Sequence, residues 1–406
     1  MVIDAFQTSV GNKPTQLRAA NLHGVQDRWT RLDIYLSSYL RSDTERASSN
    51  WSSCERLPQV MEAVVLRQYG GFERLRLEEV PLPEVGAGEI LIRNRAVGVN
   101  HCDTDVRRGA FGVAQTFPHV MGVDAAGEVV AVGSDVDGFA HGDRVAPHFL
   151  LSCGTCRNCI AGRENMCLRA GVLGVTTWGT YAQFVKVRAN NAVHLPDALS
   201  YLEAVAAQVP FATAWEALIE VGRLQAGETA LINAAGSGVG SAGVQIAKLA
   251  GARVIATTGS DEKFAAAREL GADEVINYES TNVGNAVMRL TDGLGVDLAL
   301  DVVGGNRLLD CIAAATQGGR IVSVGAHAGE RVEIDMIDLF RKHVSLHGCG
   351  RSTRAIVAKV LALVGAGRLR PVIAANYALA DAPAAHRLME SRKFFGRIVM
   401  DPWTPA

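Results

Sequence analysis

The sequence predicts an α/β protein in which a parallel, doubly wound sheet is inserted into an all-β barrel domain that carries a metal-binding lobe. Three observations predict it. Short strands separated by Pro or Gly turns run from Met61 to about Ala207, a strand, glycine-rich turn, helix and strand follow one another from Thr229 to Thr258, and four cysteines fall within fifteen residues.

At 406 residues the chain is long enough for two domains, each with its own core. A formal net charge of -2, with 20% charged residues, offers no basic surface, so no nucleic-acid partner is expected. No apolar run approaches the ~18 residues of a membrane span, and no membrane partner is expected either. Met1 to Gly11 lacks the charged and apolar regions of a signal peptide, which makes the cytoplasm the expected location.

Residues 1–60 mix Ser, Arg, Asp, Asn and Gln around a single apolar patch, Ile34 to Leu36. They read as a disordered extension, or as sequence upstream of a start at Met61, where a regular strand pattern opens. From there the pattern is all-β through residue 206, with turns at Pro83–Glu89 and Ala140–Val145. Residues 207–349 change to alternating helix and strand. Apolar strands are expected at Thr229–Ala234, Arg253–Thr258, Glu274–Asn277, Val296–Val303, Arg320–Val324 and Val344–Gly348, with helices at Glu262–Leu270 and Arg307–Ala315. Strands apolar on both faces with helical crossovers imply a parallel sheet covered on both sides. Residues 350–406 hold a helix near Ala355–Val364 and two strand-like segments expected to rejoin the barrel.

Between the strands at Thr229 and Arg253 lies Gly236, Ser237, Gly238, Val239 and Gly240. Glycine there lets backbone amides approach a pyrophosphate, and the helix that follows presents unpaired N–H groups and a partial positive charge to it. The three glycine positions of the usual dinucleotide fingerprint fall on Ala235, Ser237 and Gly240. The order strand, turn, helix, strand carries the dinucleotide reading.

Cys153, Cys156, Cys159 and Cys167 are separated by two, two and seven residues. Four thiolates on one loop make a closed tetrahedral zinc site. An iron–sulfur cluster is the rival, but its common last spacing is three residues followed by proline, and here seven are followed by Leu168. With every position filled by protein this zinc activates no water, so it is read as structural.

These motifs, with the segments Pro118–Val129, Gly142–Val145 and Ala235–Ser241, resemble the medium-chain dehydrogenase/reductase superfamily over about Met61 to Met400. The resemblance implies a Rossmann-type doubly wound sheet inserted in a GroES-like catalytic barrel with a structural zinc lobe at 153–167. It also implies a nicotinamide cofactor and a homodimer or homotetramer. Zinc alcohol dehydrogenases of this superfamily hold a second, catalytic zinc with Cys, His and Cys. The matching positions here are Asn100, Val123 and Val209, and valine cannot ligate a metal. His101, Cys102 and His119 remain as an irregular alternative ligand set. Asn at the first of these positions is similar to quinone and enone reductases, which implies Asn100 as the polar group near nicotinamide and substrate. Cys102 stands where alcohol dehydrogenases carry a proton-relay hydroxyl; it reads as a thiol proton donor or an inert wall, the latter preferred. Asp103 is expected to orient the loop.

NAD-specific relatives place an acidic residue at the end of the second strand. That position is the neutral Thr258, followed by Gly259 and Ser260. The resemblance implies that Lys263, Tyr278 and Arg392 hold a 2′-phosphate, that Thr213 approaches the nicotinamide, and that Val324 and Gly325 line it. NADPH is therefore the expected cofactor, ahead of NADH. Three functions follow: an NADPH-dependent reductase of enones or quinones, an alcohol dehydrogenase with an atypical catalytic zinc, or a non-catalytic NADPH-binding protein. The substrate is a small carbonyl, enone or quinone, its pocket expected around Arg107 to Phe117 and Phe149.

Overall fold

The computed structural model describes residues 57–405, so the expected extension at 1–60 lies almost wholly outside the described residues. In chain order the first part supplies β1 (Val60–Leu66), β2 (Arg76–Pro81), β3 (Glu89–Val99), β4 (His119–Val120), β5 (Ala125–Val132), β6 (Arg144–Pro147), β7 (Leu150–Leu151), β8 (Gly171–Val172), β9 (Phe184–Arg188) and β10 (Ala192–His194). β1 pairs antiparallel with β2 and β4. β3 is the spine of the larger sheet, whose order is β10-β6-β5-β3, with β9 also pairing β3. Its Ile90 and Ile92 alternate inward and meet Val129, Val145, Val185 and Val187, the two-residue period that closes a barrel around apolar side chains.

The second part alternates as expected. β11 (Thr229–Ile232), β12 (Arg253–Thr258), β13 (Glu274–Asn277), β14 (Val296–Asp301), β15 (Ala315–Ser323) and β16 (Ser345–Gly348) form one parallel sheet in the order β13-β12-β11-β14-β15-β16. Helices Gly238–Leu249 and Tyr201–Trp215 contribute to the core on one face, and helices Val283–Leu290 and Asn306–Ala314 to the core on the other. The order of strand addition reverses between β11 and β14, which puts the crevice for a ligand at the carboxyl end of β11.

β17 (Ile373–Ala378) and β18 (Arg397–Asp401) return to the barrel sheet, β18 pairing antiparallel with β3 and parallel with β17. Three expectations need correction. Helix Tyr201–Trp215 runs across the expected 206/207 boundary, because its apolar residues pack both the barrel residues Ala96 and Ala126 and the parallel sheet. The strand expected at Arg320–Val324 starts at Ala315, and Val324 lies beyond its end. The helix expected at Glu262–Leu270 is a 3-10 turn, Asp261–Lys263, followed by α-helix Phe264–Glu269.

Candidate active site and metal lobe

Among the described residues, Cys153, Cys156, Cys159 and Cys167 are the one group of three or more His, Cys, Asp or Glu side chains whose ligand atoms converge, all within 4.8 Å of one another. Zinc–thiolate bonds of about 2.3 Å put tetrahedral sulfurs about 3.8 Å apart. Here Sγ of Cys153 and Cys159 are 3.9 Å apart, Cys156 and Cys159 3.5 Å, Cys156 and Cys167 4.0 Å. Backbone N–H groups of Cys153 and Cys156 donate to the sulfurs of Cys167 and Cys153, which favours thiolates over thiols. The donor set fits a closed zinc site. The lobe is tied to the helices beside it: Asn165 donates to the buried Glu216 at 2.9 Å and Glu164 accepts the backbone N–H of Arg354 at 2.9 Å. By contrast, His119 is turned to the carbonyl of Gly174 at 2.9 Å, so it does not join His101 and Cys102 in a ligand set.

The glycine-rich turn leaves β11 through Ala234, held at a left-handed φ of 50°. Ser237 caps helix Gly238–Leu249, its hydroxyl accepting the N–H of Gly240 at 3.0 Å. A Cβ at Gly240 would lie 2.1 Å from the carbonyl oxygen of Ala234, so only glycine permits this approach of helix to strand. Gly238, Val239 and Gly240 form the first turn, whose orphan N–H groups fit an anionic diphosphate. Helix Tyr201–Trp215, which carries Thr213, packs against this helix. Val324 donates its N–H to Asp301, and Gly325 passes so close to Val302 that a Cβ would fall 2.5 Å from its carbonyl oxygen.

At the end of β12, Thr258 donates its hydroxyl to the carbonyl of Ser260 at 3.0 Å. Lys263 extends over Gly236 and donates to the carbonyl of Arg392 at 2.9 Å. The Tyr278 hydroxyl lies beside Gly259, whose Cβ would be 2.7 Å from it. Burial first, then Glu279, raises the Tyr278 pKa, while Arg392 and Arg307 oppose the rise. Lys263, Tyr278 and Arg392, distant in the chain, thus gather around the end of β12 with no carboxylate from Thr258. Asp261 is occupied by the Asn277 amide at 2.7 Å. Sequence reading missed Arg307, whose guanidinium sits 5.2 Å from the Tyr278 ring centroid and donates to its carbonyl.

Asn100 leaves β3 and precedes helix His101–Arg108. Its side chain is 8% exposed and engaged at both ends. Nδ2 donates to Oδ1 of Asp124 at 2.8 Å, and Oδ1 accepts Nη1 of Arg397 at 2.8 Å. Nη2 of Arg397 donates to Oδ2 of Asp124 at 2.7 Å, and Nη1 also reaches the carbonyl of Val99. Arg397 was invisible to sequence reading because a basic residue starting a strand has no distinctive pattern.

Asp103 lies in the first turn of helix His101–Arg108 and is fully buried. Its Oδ2 accepts the backbone N–H of Asn100 at 2.8 Å and the phenol of Tyr181 at 3.0 Å. A guanidinium only donates, so Arg107 at 3.3 Å makes Nδ1 of His386 the acceptor and leaves Nε2–H to donate to Tyr181 at 3.0 Å. Burial, reinforced by Asp124, pushes the Asp103 carboxyl up to about 7 against the pull of these hydrogen bonds. Burial raises the Cys102 thiol well above its ordinary value, Asp103 adding to the effect. Arg107 does not line a pocket. It is 1% exposed, bound to Glu390 at 2.6 Å and stacked over Phe72, because a helix end carries it inward. The His101 and His327 rings lie with centroids 4.7 Å apart and planes tilted by 30°, and Nδ1 of His327 lies 3.6 Å from Asp105. Sequence reading missed His327.

A parallel sheet with a glycine-rich turn at its reversal point, beside a barrel bearing a closed cysteine lobe, defines a two-domain oxidoreductase. Comparison with known proteins agrees. Residues 86–197 match the alcohol dehydrogenase GroES-like domain, and residues 238–366 the zinc-binding dehydrogenase family. The quinone oxidoreductase of Pseudomonas aeruginosa is 33% identical over 82% of this chain and 97% of its own length. A crystal structure of an NAD-dependent alcohol dehydrogenase is 39% identical with a TM-score of 0.80, covering 84% of this chain and 99% of that one. Crotonyl-CoA carboxylase/reductase is 25% identical with a TM-score of 0.80, covering 85% and 89%. The chain belongs to the medium-chain dehydrogenase/reductase superfamily, with zinc-binding alcohol dehydrogenases and quinone oxidoreductases as its relatives.

Proposed function

We propose that the protein is an NADPH-dependent reductase of α,β-unsaturated carbonyls or quinones that works without a catalytic zinc, its one zinc being structural. The observation that carries this is the exchange at the metal position. Asn100, Val123 and Val209 stand where zinc alcohol dehydrogenases hold ligands, and the Asn100 amide is bound to Asp124 and Arg397. Bound NADPH would supply a hydride. Adding it to a conjugated C=C spreads the charge into an enolate, so preorganised hydrogen-bond donors replace a Lewis acid. Asn100 would donate to the substrate oxygen, Asp103 would hold its backbone, and Val123 would contribute an apolar wall. Cys153, Cys156, Cys159 and Cys167 would hold the structural zinc. Lys263, Tyr278 and Arg392 would take the 2′-phosphate, with Ser260 beside them; Gly236 to Gly240 would take the diphosphate, and Thr213, Val324 and Gly325 the nicotinamide.

The test is NADPH absorbance loss across a panel of enones, quinones and aldehydes, with metal content assayed on the same sample. Turnover of enones or quinones with one zinc per chain supports the reading. The solved relative titled NAD-dependent alcohol dehydrogenase favours a second one, alcohol and aldehyde interconversion with an atypical zinc. Two zincs per chain and aldehyde turnover would select it.

We further infer a homodimer or homotetramer. β16 is an edge of the parallel sheet, and Leu346 on it, with Met336, Ile337 and Phe340 nearby in sequence, is exposed.

A further inference from the structure

Asp124 is fully buried, and both of its oxygens are occupied, Oδ1 by the Asn100 amide and Oδ2 by Arg397. A buried carboxylate without a counter-charge is strongly unfavourable, so Arg397 is what lets Asp124 remain beside Asn100 as an anion. The same guanidinium donates to Oδ1 of Asn100. That fixes the amide: a flipped side chain would set its oxygen against a carboxylate and its NH₂ against a guanidinium. A cation on Oδ1 and an anion on one Nδ2–H polarise the group in the same sense. The second Nδ2–H makes no hydrogen bond among the described residues.

Arg397 also reaches the cofactor side. Its Cδ runs so close to the start of helix Gly238–Leu249 that a Cβ on Gly238 would lie 2.6 Å from it. Its neighbour Gly396 donates to the carbonyl of Gly236 in the glycine-rich turn at 2.9 Å. One side chain therefore lies between the diphosphate-binding turn and the Asn100 amide.

We propose that Arg397 is a positioning residue, which holds and polarises the Asn100 amide so that its free N–H donates to the substrate oxygen. This rests on the reductase reading above. The positive charge that a metal gives in zinc-dependent relatives is delivered here by a guanidinium acting through an amide.

Arg397→Gln alone would strand the Asp124 anion and risk the fold, so the informative variant is Asp124→Asn with Arg397→Met, which removes both charges. It is compared with Asn100→Ala and with the triple variant, using NADPH and 2-cyclohexenone or 1,4-benzoquinone. We expect kcat to fall about tenfold or more in the double variant, with KM within about threefold, as when an oxyanion donor is lost. The triple variant should lose no more than Asn100→Ala. Normal kcat in a folded double variant, or losses that multiply, would overturn the proposal. A second readout is independent of turnover: in ¹⁵N-asparagine-labelled protein, the Asn100 side-chain amide signal, assigned by its absence in Asn100→Ala, should shift upfield in the double variant. An unmoved signal also overturns the proposal. A wild type that oxidises NADPH with none of the substrates overturns the reductase reading alone, and the amide signal then decides whether Arg397 positions Asn100.

Discussion

Tyr181 donates its phenol to Asp103 across 3.0 Å, on the same oxygen that accepts the backbone N–H of Asn100. Two donors on one buried carboxylate fix the start of helix His101–Arg108. Tyr181→Phe leaves that oxygen short of a partner, at a cost of about 1–3 kcal/mol. Urea unfolding should show the midpoint lowered with the slope unchanged.

The Asp103 carboxyl, raised to about 7 by burial, sets a direction for stability against pH. Between its ordinary value near 3.8 and about 7 the unfolded chain has lost this proton while the folded chain keeps it. Stability from this group is therefore full below that window and lost as pH rises through it. Melting temperature should fall from pH 5 to pH 7.5 by an amount that Asp103→Asn reduces.

Arg392→Ala should lower kcat/KM for NADPH by about 10–100-fold, the worth of one charge-assisted contact, and leave NADH within a few-fold. Lys263→Ala should act likewise. Equal losses with both cofactors would place these residues elsewhere than on the 2′-phosphate.

Gly240→Ala drives a methyl into the Ala234 carbonyl oxygen at 2.1 Å. Overpacking of this kind costs about 1–3 kcal/mol, and it should weaken cofactor binding through the displaced turn. Fluorescence titration with NADPH and urea unfolding would measure the two effects.

Chelation of the lobe metal should release one zinc per chain and lower the melting temperature. Asn165→Ala, which cuts the tie to Glu216, should lower it less and leave zinc content unchanged. Metal analysis and calorimetry on the same samples would check this.

The fold was readable wherever a period repeats. β12 and β13 fall on their expected bounds because each is a short apolar run closed by polar residues. Helix Tyr201–Trp215 hid the domain boundary, since a helix buried on nearly every side has no polar face to mark which domain it serves. The cysteine lobe was legible because its four thiols are local in the chain. The surroundings of Asn100 were not: Asp124 and Arg397 lie 24 and 297 positions away, and only strand pairing brings them together. For the same reason Arg107, expected beside the substrate pocket, proved to be buried against helix Ala382–Ser391.

β18 enters late in the chain yet lies between β3 and β17. A single proteolytic nick in the stretch 392–396 would therefore release more than a tail. It would bare the flank of β3 and strip Asp124 of its cation, so clipping there should silence the enzyme in one event.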